Sequence, residues 1–162
     1  ASEGGLAGLL VDGIMGDIYE LIQGSSDRWE IRFLFKAWFE LWASSYSRLW
    51  IDDGNALHMR FGDRVFRYHA KAVGELQKAE VRGGSAADAV PGVIAQIVFI
   101  DQTLAEMQLA EAYAAGASPD RIAKAEAALA DAYASLADDR PDDAIEHFRT
   151  AWREATWGIQ RR

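Results

Sequence analysis

Residues 29–50, WEIRFLFKAWFELWASSYSRLW, decide how this chain is read, because they hold eight of its eighteen Phe, Trp and Tyr residues. Set on a helix at about 100° per residue, Ile31, Leu34, Phe35, Trp38, Leu41, Trp42, Tyr46 and Leu49 fall in one broad apolar arc. Glu30, Arg32, Lys36, Glu40, Ser44, Ser47 and Arg48 take the opposite side. The pattern predicts a core helix with a solvated back. Trp29 and Phe33 break it by projecting beside Lys36 and Glu40, so another segment or another molecule is expected to cover them.

On the N-terminal side, residues 1–5, ASEGG, read as a flexible lead-in. Leu6, Leu9, Leu10, Ile14, Ile18, Leu21 and Ile22 then recur at helical spacing. Gly8, Gly13 and Gly16 lie within that helix, each weakening it by about 1 kcal/mol relative to alanine. Packing is therefore expected to hold it, with Gly13 and Gly16 allowing another backbone to come close. Residues 24–27, GSSD, close this helix and cap the next: Ser26 or Asp27 is the N-cap candidate, and Glu30 stands where a capping box places its acid.

On the C-terminal side, residues 51–55, IDDGN, end the aromatic helix with residue types that tolerate left-handed backbone. A third helix is predicted over about 56–81. A fourth is predicted over about 86–115, where Pro91 implies either a short helix before it or a start near Val90 with Pro91 in the first turn. The run Val93, Ile94, Ile97, Val98, Ile100 has strand character, but its continuation through Leu104 and Met107 favours a helix. Residues 116–120, GASPD, form the clearest boundary, with Ser118 as N-cap and Pro119 in the first helical position. Two further helices, 120–137 and from Pro141 to a stop at Trp157 and Gly158, make an antiparallel hairpin. No strong strand signal remains. The expected fold is all-α: one six-helix bundle domain over residues 6–157 ending in that hairpin, with a tail at 158–162.

Composition narrows function by exclusion. A charge of −8, from 25 acids against 17 bases, disfavours nucleic acid, whose affinity rests on clustered Lys and Arg. No apolar run approaches the ~20 residues that cross a bilayer, so no membrane span is expected. Without cysteine there is no disulfide, thiolate metal site or cysteine nucleophile, and the compartment stays open. The start at Ala1, followed by Ser2 and Glu3, is compatible with cleavage after a small-residue signal site.

Chemistry-bearing residues are sparse. Asp52, Asp53, Asn55, His58 and Asp63 gather around one loop and offer the oxygens that hard cations take, but their spacing is not that of an EF-hand loop, and Asp and Asn more often serve as caps and turns. His58, His69 and His147 lack the i,i+4 pairing that puts two imidazoles on one helix face. Ser44, Ser45 and Ser47 sit at a helix end and not in a G-x-S-x-G turn. No Glu-x-x-His motif for a di-iron site exists. The tryptophans could stack on a flat cofactor, or Trp29 and Trp50 on a glycan, yet a tryptophan stripe at helical spacing is more often core. No cofactor and no enzymatic activity are expected.

Two resemblances bear on the reading. Residues 124–155 resemble the second half of a helical-hairpin repeat of the tetratricopeptide kind, though no second copy occurs at a fixed period. LWIDDGNAL (49–57), GDRVFRYHAKAVGEL (62–76), KAEAALADAYASL (124–136) and DDAIEHFRTAWREA (142–155) together resemble α-helical modules near the C-termini of large secreted bacterial and archaeal proteins, beside β-sandwich or repeat domains. The likeness spans about residues 46–157 and rests on Trp50, Gly62, Phe66, Leu129, Phe148 and Trp152. It implies an extracellular or cell-surface, non-catalytic module and carries no active-site residues. The expected function is assembly or protein–protein interaction, with copies of itself or with other domains of a larger secreted assembly. Trp29, Phe33, Gly13 and Gly16 are its candidate interface, because aromatics anchor interfaces and glycines permit close contact. The alternative is a module that binds a divalent ion or a glycan around residues 52–63.

Overall fold

The computed structural model describes residues 4–160. The N-terminal helix is composite, running without a break through α1 (Gly5–Gly8), a π-helical stretch (Leu9–Met15) and α2 (Gly16–Gly24). It is followed by α3 (Arg28–Ser44), β1 (Trp50–Ile51), β2 (Ala56–Leu57), α4 (Arg64–Arg82), α5 (Val90–Ala114), α6 (Pro119–Ala137) and α7 (Pro141–Gln160). Among the described residues the fold is all-α, with six helices and one two-stranded antiparallel sheet. By backbone contacts the chain divides into two compact units, Ala1–Ile97 and Val98–Arg162, and α5 runs through the division. Of the expected lead-in, residues 1–3 lie outside the described residues, and the first helix already begins at Gly5.

In the first unit, the π stretch gives the glycine-weakened helix its register. Its wider turn admits an extra residue, so Ile14 and Met15 are both buried along with Ala7, Leu10, Ile18 and Ile22. Helices α3 and α4 are antiparallel: Arg82 at the end of α4 bonds Asp27 at the start of α3, and His69 near the start of α4 meets Ser44 at the end of α3. α3 buries Leu34, Ala37 and Leu41, and α4 buries Val65, Phe66, Ala72, Val73, Leu76 and Ala79. Each large apolar side chain taken out of water this way contributes about 1.5–3 kcal/mol. Pro91 sits in the first turn of α5, which starts at Val90, the second of the two expected arrangements.

Residues 45–63 depart from expectation. The aromatic helix stops at Ser44, Leu49 lies in a short 3-10 turn, and Trp50 begins a strand. The third helix starts at Arg64 and not at Ala56, because residues 50–57 pair as a hairpin, Trp50 with Leu57 and Ile51 with Ala56. Two-residue strands leave almost no periodicity to read, and the hairpin is driven by its loop. Asp52, Asp53 and Gly54 all have left-handed backbone, with φ of 54°, 53° and 83°. Asp and Gly visit that region at least cost. Gly54 also lets the N-terminal helix approach, since a Cβ there would come within 2.7 Å of the Gly4 carbonyl and 2.8 Å of Ala7 Cβ.

The second unit contains the predicted antiparallel hairpin. Ser118 caps α6 by accepting from the Arg121 amide, and Pro119 occupies its first turn. α6 and α7 are tied across their length by Arg121 to Glu154 at 2.8 Å and by the edge-on rings of Tyr133 and Phe148. Small residues make the seam: Ala112, Ala117, Ala125 and Ala155 cluster with Leu109, Ile122 and Ile159. Gly158 is not a helix stop. α7 continues to Gln160, and Gly158 is a contact residue whose added Cβ would lie 2.9 Å from Ala117 Cβ and 3.3 Å from Arg121 Cβ.

Two glycines therefore have opposite roles. At Gly16 an added Cβ would meet nothing within 4 Å, so Gly16→Ala should raise stability by about 0.5–1 kcal/mol through helix propensity. Gly158→Ala should lower it by about 1–3 kcal/mol through overpacking. Paired urea melts read both signs.

Candidate functional site

What α3 shows to solvent is set by what it hides. Its buried residues are Glu30, Leu34, Ala37, Leu41 and Ser44, a stripe at steps of three and four. The apolar arc puts Glu30 and Ser44 on the solvated side, yet both are fully buried. Glu30 does not close a capping box. Its carboxylate accepts from Ser85 Oγ at 3.0 Å and from the Ala86 amide at 3.2 Å, and it lies so close to Gly84 that any Cβ there would overlap it. Asp27 is the N-cap instead, accepting from the Trp29 amide. The Arg82 guanidinium, bonded to Asp27 at 2.7 Å, holds that carboxyl below its ordinary range.

At the other end of α3, Ser44 Oγ donates to the Leu41 carbonyl at 2.7 Å and lies 3.0 Å from His69 Nε2. The Trp50 indole donates to the Ser44 carbonyl at 2.7 Å. This brings a serine and a histidine together, but inside the core and with the hydroxyl proton committed to a carbonyl; it is a packing device. Trp50 is buried with them, which removes it as a glycan platform.

Hiding that stripe turns the aromatic side outward. Phe35, Phe39, Trp42 and Tyr46 are 40%, 54%, 43% and 45% exposed, correcting the inward placement of Phe35, Trp42 and Tyr46. Their rings touch in sequence, Phe35 to Phe39 at 5.9 Å, Phe39 to Trp42 at 6.3 Å and Trp42 to Tyr46 at 5.1 Å, with Trp38 edge-on to Phe39. Phe39 has no place in the predicted arc, although its spacing of four from Phe35 and three from Trp42 was a legible signal. Such a contiguous exposed aromatic run is the kind of patch that marks an interaction surface.

The predicted interface residues lie on or beside this helix in part. Trp29 is 41% exposed, 6.5 Å from the half-buried Phe33, with the Arg28 and Arg32 guanidinium groups 5.5 and 5.6 Å from its ring centre. Gly13 and Gly16 lie on the N-terminal helix. A Cβ at Gly13 would make ordinary contact with Leu9, and Gly16 is open, so neither is required by a close approach within the chain.

The two helices that flank this face differ in charge from the rest of the chain. α3 and α4 carry eight Lys or Arg against four Asp or Glu, a balance of +4 in a chain of −8, so the remaining residues carry −12. Between the two helices runs an open groove of ≈ 420 Å³ lined by Lys36, Phe39, Glu40, Lys71, Gly74, Glu75 and Lys78. Lys78 is paired with Glu75 at 3.0 Å, whereas Lys36 and Lys71 have no ion pair among the described residues.

The loop acids do not assemble into a site. Among the described residues no three His, Asp or Glu side chains converge as metal ligands. Asp52 and Asp53 are exposed left-handed turn residues, Asn55 packs against Gly5, and Asp63 precedes α4. His58 stacks on Phe61 and accepts from the Arg60 amide, and His147 is half-buried on α7.

Backbone conformation and charge can be separated at Asp53. Asp53→Asn should leave the melting temperature nearly unchanged, in calcium or in chelator, whereas Asp53→Val should destabilise by about 1–2 kcal/mol because a β-branched residue resists a left-handed φ. Calorimetry of the two variants checks this; equal losses would assign the role to the carboxylate. Comparison of the chain with protein-family models, with curated proteins and with solved structures finds no match.

Proposed function

We propose that this chain is a non-catalytic helical interaction module that works in assembly, with copies of itself or with neighbouring domains of a larger extracellular protein. The single observation that carries this reading is the run of touching, half-exposed rings formed by Phe35, Phe39 and Trp42 on α3 and Tyr46 just beyond its end. Trp, Tyr and Phe give interfaces much of their energy because they remove a large rigid area from water at small entropic cost. Lys36 stands beside Phe39, and Arg28 and Arg32 lie against Trp29 nearer the start of α3, the charged setting common at the rim of a contact. The extracellular setting rests on the resemblance of residues 46–157 to C-terminal helical modules of secreted proteins. No helix among the described residues is long and apolar enough to cross a membrane.

The exposed rings contribute little to the core of the free chain, which makes the reading testable. Phe39→Ser with Trp42→Ser should leave the melting temperature within a few degrees of wild type. In sedimentation across a concentration series, wild type should exceed the 17.9 kDa of one chain, and the double variant should remain at it. A double variant that unfolds would place these rings in the core and contradict the assignment.

A further inference from the structure

We infer that the N-terminal helix, residues 5–24, is an exchangeable element: when two copies assemble, each seats this helix on α3 and the hairpin loop of the other. The inference rests on the interaction-module reading and adds the partner, a second copy, and the segment that joins it. The way the helix is held carries the argument. Polar contacts lock the rest of the first unit, with Asp27 joined to Arg82, Glu30 to Ser85 and Ala86, and His69 to Ser44. Among the described residues no side chain of residues 4–24 makes a hydrogen bond or an ion pair. Ala7, Leu10, Ile14, Met15, Ile18 and Ile22 are buried, whereas Asp12, Asp17, Tyr19, Glu20 and Gln23 are exposed. Apolar burial is non-directional, so it alone fixes the surface this helix covers, and the same surface exists on every copy.

The helix is also built to open. Five of its twenty residues are glycine, each less favourable in a helix than alanine, and its middle is a seven-residue π stretch, a form rarely sustained beyond one turn. α3 and α4 together hold one glycine, Gly74. Segments of low local stability open before the elements they pack on. The hinge is the three-residue link 25–27, where Ser25 and Asp27 already have extended backbone, with ψ of 143° and 115°. Short links between packed elements favour exchange, because the chain must turn back sharply to pack on itself. At the far end the seat is cut to this helix: Gly54 makes room for the Gly4 carbonyl and Ala7, and a Cβ at Gly5 would overlap the Asn55 carboxamide. The occupant is therefore residues 5–24, from the same copy or from its partner.

Because the helix makes the same contacts on either copy, exchange itself neither gains nor loses that interface. An added contact between copies decides, and the exposed rings of Phe35, Phe39 and Trp42, on the helix that carries the seat, supply it. Reciprocal exchange closes about a twofold axis, so assembly stops at a dimer.

The chain has no cysteine, so a cysteine pair across the seat reports which copy the helix occupies. Gly5→Cys with Asn55→Cys removes the carboxamide that crowds position 5 and lets the two side chains meet. The variant is separated by size into dimer and monomer and then oxidised. Denaturing electrophoresis without reductant should show the dimer fraction as covalently linked pairs and the monomer fraction as single chains closed on themselves, with neither single-cysteine variant linked. A dimer fraction that runs as single closed chains overturns exchange and leaves the aromatic contact between copies standing. A chain that is monomeric at every concentration overturns self-association, and exchange with it. Hydrogen exchange of the unaltered chain, read by mass spectrometry, supplies a second test that needs no variant to fold. Amides of residues 9–22 should open as one unit at least about tenfold faster than those of 34–41 and 72–79. Equal protection of the three segments closes the route to exchange and overturns the proposal.

Discussion

The fold of the first unit depends on how Glu30 is satisfied. A carboxylate held out of water without partners costs several kcal/mol, and this one is fully buried. Ser85 and the Ala86 amide meet it, so the N-terminal end of α3 and the turn before α5 are tied to a single rotation of the helix. Ser44, bonded within α3 and set against His69, fixes the same rotation at the far end of the helix. A helix that is apolar on nearly every side could present any of several faces to the core. The two polar residues with obligatory partners choose one.

The chosen rotation has a consequence for function. With Leu34, Ala37 and Leu41 turned inward, Phe35, Phe39, Trp42 and Tyr46 are left in water. α4 lies alongside, and the rings border a groove lined by Lys36, Lys71 and Lys78 together with Glu40 and Glu75. An aromatic stripe thus stands in water next to Lys36 and Lys71, which have no ion pair among the described residues, and the proposed interaction role starts from that juxtaposition. Nothing in the geometry around Ser44 and His69 offers a reacting group to solvent.

Much of this was legible in the sequence, and the part that was not has a physical reason. Ser118 and Pro119 announced α6 correctly because capping is local: the side chain and the amide it serves are three residues apart. Helix count and the final hairpin followed from periodicity for the same reason. The face of α3 was misjudged because hydrophobicity alone ranks Trp42 and Phe35 as core and Glu30 and Ser44 as surface, and the bonds that reverse the ranking join residues 25 to 56 positions apart. Trp29 lies outside the apolar arc and is exposed, while Phe39, which the arc does not include, is the most exposed ring of α3. The hairpin at 50–57 leaves no readable period because its strands are two residues long, and its loop acids Asp52 and Asp53 are turn residues, the role Asp takes more often than that of ligand.

The most direct test of the account is hydroxyl-radical footprinting of the dilute chain, read by mass spectrometry at single residues. If α3 hides Glu30 and Ser44, then Phe39, Trp42 and Trp29 should be modified rapidly, and Trp50 and Trp152, both buried, should be spared. Protection of Phe39 and Trp42 equal to that of Trp50 in the monomer would mean that the aromatic side is core after all, and the interaction face would not exist.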